Sequence, residues 1–131
     1  MPDTIQTKLV VLGGGPGGYA AAFLAADRGV QSTLIDVGAK PGGTCLHVGC
    51  IPSKALLHVA NVIHSAHDVA QFGIQYAEPT IDLPNFRAKQ FKIVDTMASH
   101  LLELCKRRDV KHISGRGTFT DAHTIQVENG P

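Results

Sequence analysis

Lys8-Leu9-Val10-Val11-Leu12-Gly13-Gly14-Gly15-Pro16-Gly17-Gly18 runs from a short apolar string straight into a glycine cluster. A continuous apolar string of this length is what a strand buried on both faces of a parallel sheet requires. Downstream, Tyr19 to Arg28 is rich in alanine, carries Phe23 and Leu24, and stops at Gly29. That is the pattern of a helix with a glycine stop signal. A second strand, Ser32-Thr33-Leu34-Ile35, follows and ends in Asp36. Strand, glycine turn, helix and strand make a right-handed βαβ unit, so the chain is expected to be an α/β domain on a parallel sheet.

The glycine cluster satisfies G-x-G-x-x-G through Gly13, Gly15 and Gly18, and it stands between strand and helix, where that motif has a physical purpose. The first glycine permits the tight turn, the second lets backbone approach a pyrophosphate, and the third lets helix pack closely on strand. The start of the helix then offers unpaired N–H groups and partial positive charge to the phosphates. Asp36 closes the second strand, where it is placed to accept hydrogen bonds from a ribose diol; a carboxylate there disfavours a 2′-phosphate. The expected ligand is a dinucleotide, and the fingerprint alone does not separate FAD from NAD.

The remainder of the chain narrows the class. Its 131 residues suffice for one domain with a hydrophobic core. The formal net charge of +1 gives no basic field for nucleic acid or anionic membrane. No apolar stretch is expected to span a bilayer, and Met1 to Lys8 lacks the apolar region of a signal peptide. The expected location is the cytoplasm. A loop from Val37 to Gly49 leads to a helix entered through Pro52, with Leu56, Leu57, Ala60, Ile63, Ala66 and Ala70 as its buried face. Gly73 to Pro84 reads as a connector. A third helix, from about Pro84 to Arg108, carries the stripe Val94, Met97, Ala98, Leu101, Leu104 and Cys105, in which Cys105 is a small core residue. A strand from Val110 to Ser114 and a hairpin within Thr118 to Val127, turning at Asp121-Ala122-His123, complete the reading. The chain stops abruptly for an α/β sheet at Asn129-Gly130-Pro131.

The most informative stretch is Gly42-Gly43-Thr44-Cys45-Leu46-His47-Val48-Gly49-Cys50-Ile51-Pro52-Ser53-Lys54. The spacing leaves room for a bend at the intervening glycine that can bring the two Cα atoms within disulfide range. Cys50 opens a helix, whose dipole favours thiolate, and Lys54 stands one turn further on. Two other readings stand beside a redox pair: a metal site of Cys45, His47, Cys50 and His58, whose spacing is unusual for zinc, and a structural disulfide, which a reducing compartment disfavours. The scattered His64, His67, His100, His112 and His123 read as ordinary helix or loop residues.

Cys45-x4-Cys50 followed by Ile51-Pro52-Ser53-Lys54-Ala55-Leu56-Leu57 closely resembles the signature of the pyridine nucleotide–disulfide oxidoreductases. The order of motifs, from glycine fingerprint to Gly115-x-Gly117, is similar to that family over nearly the whole chain. The form of the cysteine segment is most similar to the members that oxidise dihydrolipoamide, with glutathione and mercuric reductases as near relatives. A truncated module that binds flavin without catalysis is the alternative from another class. The resemblance implies a Rossmann-type FAD-binding domain, a parallel sheet with flanking helices and a β-hairpin, incomplete on its C-terminal side. Residues 1–131 are then the N-terminal segment of a longer, dimeric enzyme whose NAD-binding and dimerisation domains lie elsewhere.

By the same resemblance Cys45 is the interchange thiol and Cys50 the charge-transfer thiol against the flavin. Lys54 lies near flavin N5, Gly42, Gly43 and Thr44 line the cofactor, and backbone from Gly115 to Gly117 contacts adenine. No metal is implied. The implied cofactors are FAD on this segment and NAD in the rest of the enzyme. The implied partners are lipoyl domains of 2-oxoacid dehydrogenase or glycine-cleavage complexes. His47 departs from the family, which has asparagine there, and is expected to change the pH dependence of the disulfide chemistry.

Overall fold

A computed structural model describes residues 4–128. The expectations about the ends, at Met1 to Asp3 and at Asn129-Gly130-Pro131, fall outside them. In chain order the elements are β1 (Leu9–Leu12), α1 (Pro16–Asp27), β2 (Ser32–Asp36), α2 (Gly43–His47), α3 (Cys50–Asp68) and α4 (Leu83–Arg107), then β3 (Lys111–Ser114), β4 (Gly117–Phe119) and β5 (Ile125–Val127). A 3-10 turn, Val69–Phe72, continues α3. The first three strands form one parallel sheet in the order β1-β2-β3, and β4 and β5 form a separate antiparallel ribbon.

Register explains how the sheet is covered. Val11, Leu34 and His112 are neighbours across the three strands. Leu34 is fully buried with Ala22 of α1, Cys105 of α4 and Val110, and Val11 and Phe23 pack around them. Both helices therefore lie on one face of the sheet, as two right-handed crossovers in the same direction demand. At Gly18 an added Cβ would stand 1.8 Å from the carbonyl oxygen of Gly13, so α1 runs too close to the end of β1 for any side chain there. The opposite face carries Leu12 and Ile35, and the β4–β5 ribbon closes it, with Gly117 packed against both and against Ile125. The ribbon turns where Asp121 Oδ1 accepts a hydrogen bond from the His123 amide at 2.7 Å, as its sequence anticipates.

Four details differ from the sequence expectation. α1 begins at Pro16 rather than Tyr19, because proline at the first helical position costs no hydrogen bond. The Val37–Gly49 loop contains the one-turn helix α2. The face predicted to be buried on α3 is largely open: Leu56 is 40% and Leu57 60% exposed, Ala60 and Ala70 are exposed, and only Ile63 and Ala66 are half-buried. Finally, Gly43–Phe72 is long and apolar enough, by length and composition alone, to cross a membrane, contrary to the reading that no stretch is. Lys54 and Asp68 are its only full charges, and α3 carries most of it. The stretch is broken between α2 and α3 at Val48-Gly49.

α4 buries most of its expected stripe, with Ala98 and Cys105 at 1% exposure and Val94, Leu101 and Leu104 half-buried, while Met97 is 41% exposed. Asp82 caps its start by accepting from the Asn85 amide at 3.0 Å. At its far end Arg108 donates to Asp27 Oδ1 at 3.0 Å and lies 5.1 Å over the Phe23 ring. The end of α4 is thus tied to α1.

Candidate active site

The glycine turn joins three elements. Gly13 donates its N–H to Ile35 O at 2.7 Å, and Tyr19 donates to Gly15 O at 3.0 Å as α1 begins. No side chain caps α1; Gly15 is its N-cap and Pro16 its first residue. The amides of the first turn are left for an outside acceptor, and beside Gly17 there is open space. The Asp36 carboxylate lies against Gly14, where an added Cβ would come 2.7 Å from Oδ2. Glycine turn, uncapped amides and carboxylate are together at the C-terminal ends of β1 and β2, and this arrangement fits the diphosphate and ribose of a dinucleotide. At the end of β3 the Gly115 amide donates to Asp36 O at 2.7 Å, which sets the Gly115–Gly117 segment beside the same carboxylate strand end.

The cysteine segment is attached to that turn. Gly42 donates its N–H to Gly14 O at 2.7 Å, and a Cβ on Gly43 would stand 2.7 Å from the Gly15 Cα. Gly43 also has φ +59°, so both space and backbone require glycine there. α2 then carries Thr44 and Cys45, the chain breaks at Gly49, and Cys50 is the first residue of α3. Cys45 and Cys50 are free thiols, the first half-buried and the second exposed. The Cys45 thiol hydrogen-bonds with Cys50, and this contact, partial burial and the nearby second sulfur raise its pKa above the ordinary 9.0. The ammonium of Lys54 pulls in the opposite direction. Cys45, Cys50 and Lys54 thus lie near one another where α2 meets α3.

The metal reading of the segment does not assemble. Among the described residues no three His, Cys, Asp or Glu side chains gather as a metal ion needs. His47 turns instead to the preceding loop, where its Nε2 donates to Lys40 O at 3.2 Å. Lys40 Nζ in turn donates to Asp95 Oδ1 and, at 2.9 Å, to Ser99 Oγ on α4. The cysteine segment is thereby held to α4 as well as to the glycine turn. Cys105 lies apart in the core, where burial raises its thiol pKa.

Beside Cys45 opens a cleft of about 220 Å³, walled by Pro16 and Tyr19 of α1, Leu46 of α2, Ile51 of α3, and Met97 and Leu101 of α4, with Gly42 at its edge. His100 lines it too. Nothing in the sequence distinguished His100, because a lone histidine on the exposed flank of a helical stripe carries no spacing signal. Its position depends on how α4 packs against α2, which is a tertiary fact. Among the described residues no lysine or arginine lines this cleft.

A family model described as "Pyridine nucleotide-disulphide oxidoreductase" matches residues 7–130. Dihydrolipoyl dehydrogenase of Haemophilus influenzae is 46% identical over 125 residues, 95% of this chain and 26% of that protein. Dihydrolipoyl dehydrogenase of Vibrio cholerae is 43% identical over 128 residues, 98% of this chain and 27% of its own. Dihydrolipoyl dehydrogenase 1, mitochondrial, of Arabidopsis thaliana is 40% identical over 124 residues, 94% of this chain and 24% of its own. The chain spans about a quarter of the length of these relatives. With a match that runs from β1 through both cysteines to β5, the chain belongs to the pyridine nucleotide-disulphide oxidoreductase family.

Proposed function

We propose that this chain is the flavin- and disulfide-bearing segment of a dihydrolipoyl dehydrogenase. The observation that carries the reading is the joint between Gly42-Gly43 and Gly14-Gly15, which sets a hydrogen-bonded cysteine pair one short helix away from a nucleotide turn. The glycine turn would hold the FAD diphosphate on the α1 amides and Asp36 the ribose, while Gly42, Gly43, Thr44 and Lys54 would line the flavin end and Gly115 to Gly117 the adenine end. When bound, FAD supplies a two-electron acceptor that hands its electrons on to NAD⁺.

The chain's own residues handle the dithiol. In the oxidised pair, one substrate thiolate attacks Cys45 Sγ, the Cys45–Cys50 bond breaks, and Cys50 leaves with the electron pair as thiolate. The second substrate thiolate then attacks the substrate sulfur of the mixed disulfide. Cys45 is released as thiolate, the substrate departs as a cyclic disulfide, and its two thiol protons pass to solvent or to a base. Once released, Cys45 takes up a proton readily, because its neighbour Cys50 and partial burial raise its thiol pKa. Lys54 offsets negative charge on the pair through its ammonium. The apolar cleft favours an alkyl dithiol over a substrate with charged carboxylates, which would find no lysine or arginine among the lining residues.

The proposal includes a cytoplasmic location, a homodimer in the complete enzyme, and lipoyl domains of 2-oxoacid dehydrogenase or glycine-cleavage complexes as partners. Its test is steady-state oxidation of dihydrolipoamide by NAD⁺ in the full-length flavoenzyme carrying this chain. Cys45→Ser and Cys50→Ser should each lower kcat by more than ~10³-fold, since each removes an atom that bonds in the reaction. Turnover in either variant near that of the parent would refute the assignment of the pair.

A further inference from the structure

Apart from Cys45, two side chains that line the cleft carry polar atoms, Tyr19 and His100. Their situations differ. Tyr19 packs against the core, its ring 5.8 Å from that of Phe23, so its place is set by α1. His100 is exposed and stands on α4 between two apolar cleft residues, Met97 and Leu101. Its imidazole therefore reaches both the cleft and solvent at the mouth. An imidazole nitrogen in an apolar wall is a hydrogen-bonding group with few competitors, and it rewards a ligand that brings a polar group to that point.

The position of His100 relative to Cys45 is fixed by a connected set of bonds. Ser99, its chain neighbour, accepts from Lys40 Nζ at 2.9 Å, and Asp95 one turn earlier accepts from the same ammonium. The backbone oxygen of that lysine accepts from His47 Nε2 at 3.2 Å, two residues after Cys45. One lysine thus ties the helix that presents the imidazole to the helix that presents the thiol.

We propose that His100 is a specificity-determining residue that touches substrate, forming a hydrogen bond with the amide of an alkyl dithiol whose sulfurs lie at Cys45. Lys40, Asp95, Ser99 and His47 act through it as positioning residues. The inference rests on the reading of the cleft as a dithiol site and adds to it the polar group by which a dithiol is selected.

The test compares dihydrolipoamide with 1,3-propanedithiol, which has the thiols and lacks the amide, in the full-length flavoenzyme. Removing one neutral hydrogen bond in His100→Leu should lower the ratio of kcat/KM for the two dithiols about fivefold, mostly through KM for dihydrolipoamide. His100→Gln keeps a donor and an acceptor and should recover most of that ratio. A readout without turnover uses alkyl methanethiosulfonates on Cys50→Ser, in which no second thiol displaces the mixed disulfide from Cys45: by mass, a reagent with an amide tail should label Cys45 faster than its tail-less analogue, and adding His100→Leu should erase the preference. An unchanged ratio in His100→Leu, or equal labelling of Cys50→Ser by both reagents, would overturn the role of His100 alone. A parent enzyme that oxidises neither dithiol would overturn the functional reading and this inference with it.

Discussion

Cys45 and His112 show how single side chains answer to pH. The Cys45 thiol is held protonated above the ordinary 9.0, first by its hydrogen bond with Cys50, while Lys54 works against that. Alkylation of reduced Cys45 should therefore rise with pH at a midpoint above 9.0, and Lys54→Met should move that midpoint higher still. Mass-resolved iodoacetamide labelling across a pH series reads both shifts; a lower midpoint in Lys54→Met would contradict the electrostatics. His112 is the second case. Its Nε2 is buried without a hydrogen-bond partner among the described residues, and burial lowers its pKa below 6.5, only partly opposed by the nearby Asp36 carboxylate. Below 6.5 the unfolded chain binds the proton more readily than the folded one, so stability is lost as pH falls through that window. His112→Leu removes the titration and the unpaired nitrogen. Urea midpoints measured from pH ~7.5 to ~5 should fall less steeply in the variant. Parallel slopes would show that His112 does not carry the acid dependence.

At the scale of elements, the joint between α2 and the start of α1 matters most. Gly43 meets Gly15 there with φ +59° and no room for a side chain. Gly43→Ala should cost on the order of 1–3 kcal/mol and loosen flavin, seen as a lower urea midpoint and faster loss of flavin on gel filtration. An alanine variant that retains both would show the contact to be incidental. The βαβ unit was legible because apolar strings, alanine-rich helix and glycine signals fall at its boundaries, and glycine is required at Gly13 by its φ of +104° and at Gly18 by lack of space. α2 was not legible, since Gly43 and Thr44 are poor helix formers and one turn leaves no periodicity. On α3 the periodicity of Leu56, Leu57 and Ile63 was real, but periodicity reports an apolar face and not the element that covers it. His100 escaped notice for the related reason that the far walls of its cleft come from three other helices.

Across the whole molecule, one sheet gathers both halves of the site. The three strands are parallel in the order β1-β2-β3, so the C-terminal ends that carry the glycine turn, Asp36 and Gly115 share one edge, and the cysteine segment docks on the first of them. The strand pairings were not legible in advance, because an apolar string does not name its neighbour. The position of the site followed all the same, since ligands of such sheets bind outside the carboxyl ends of the strands. The central claim is that this edge places a reactive cysteine pair against bound flavin. The most direct measurement is the visible spectrum of the flavin-loaded full-length enzyme during anaerobic titration with dihydrolipoamide. One equivalent should produce an absorption band at wavelengths beyond those of the flavin itself, from the Cys50 thiolate against the ring, and Cys50→Ser should abolish it. Flavin that is left unchanged by the dithiol, or a band that survives in Cys50→Ser, would contradict the account.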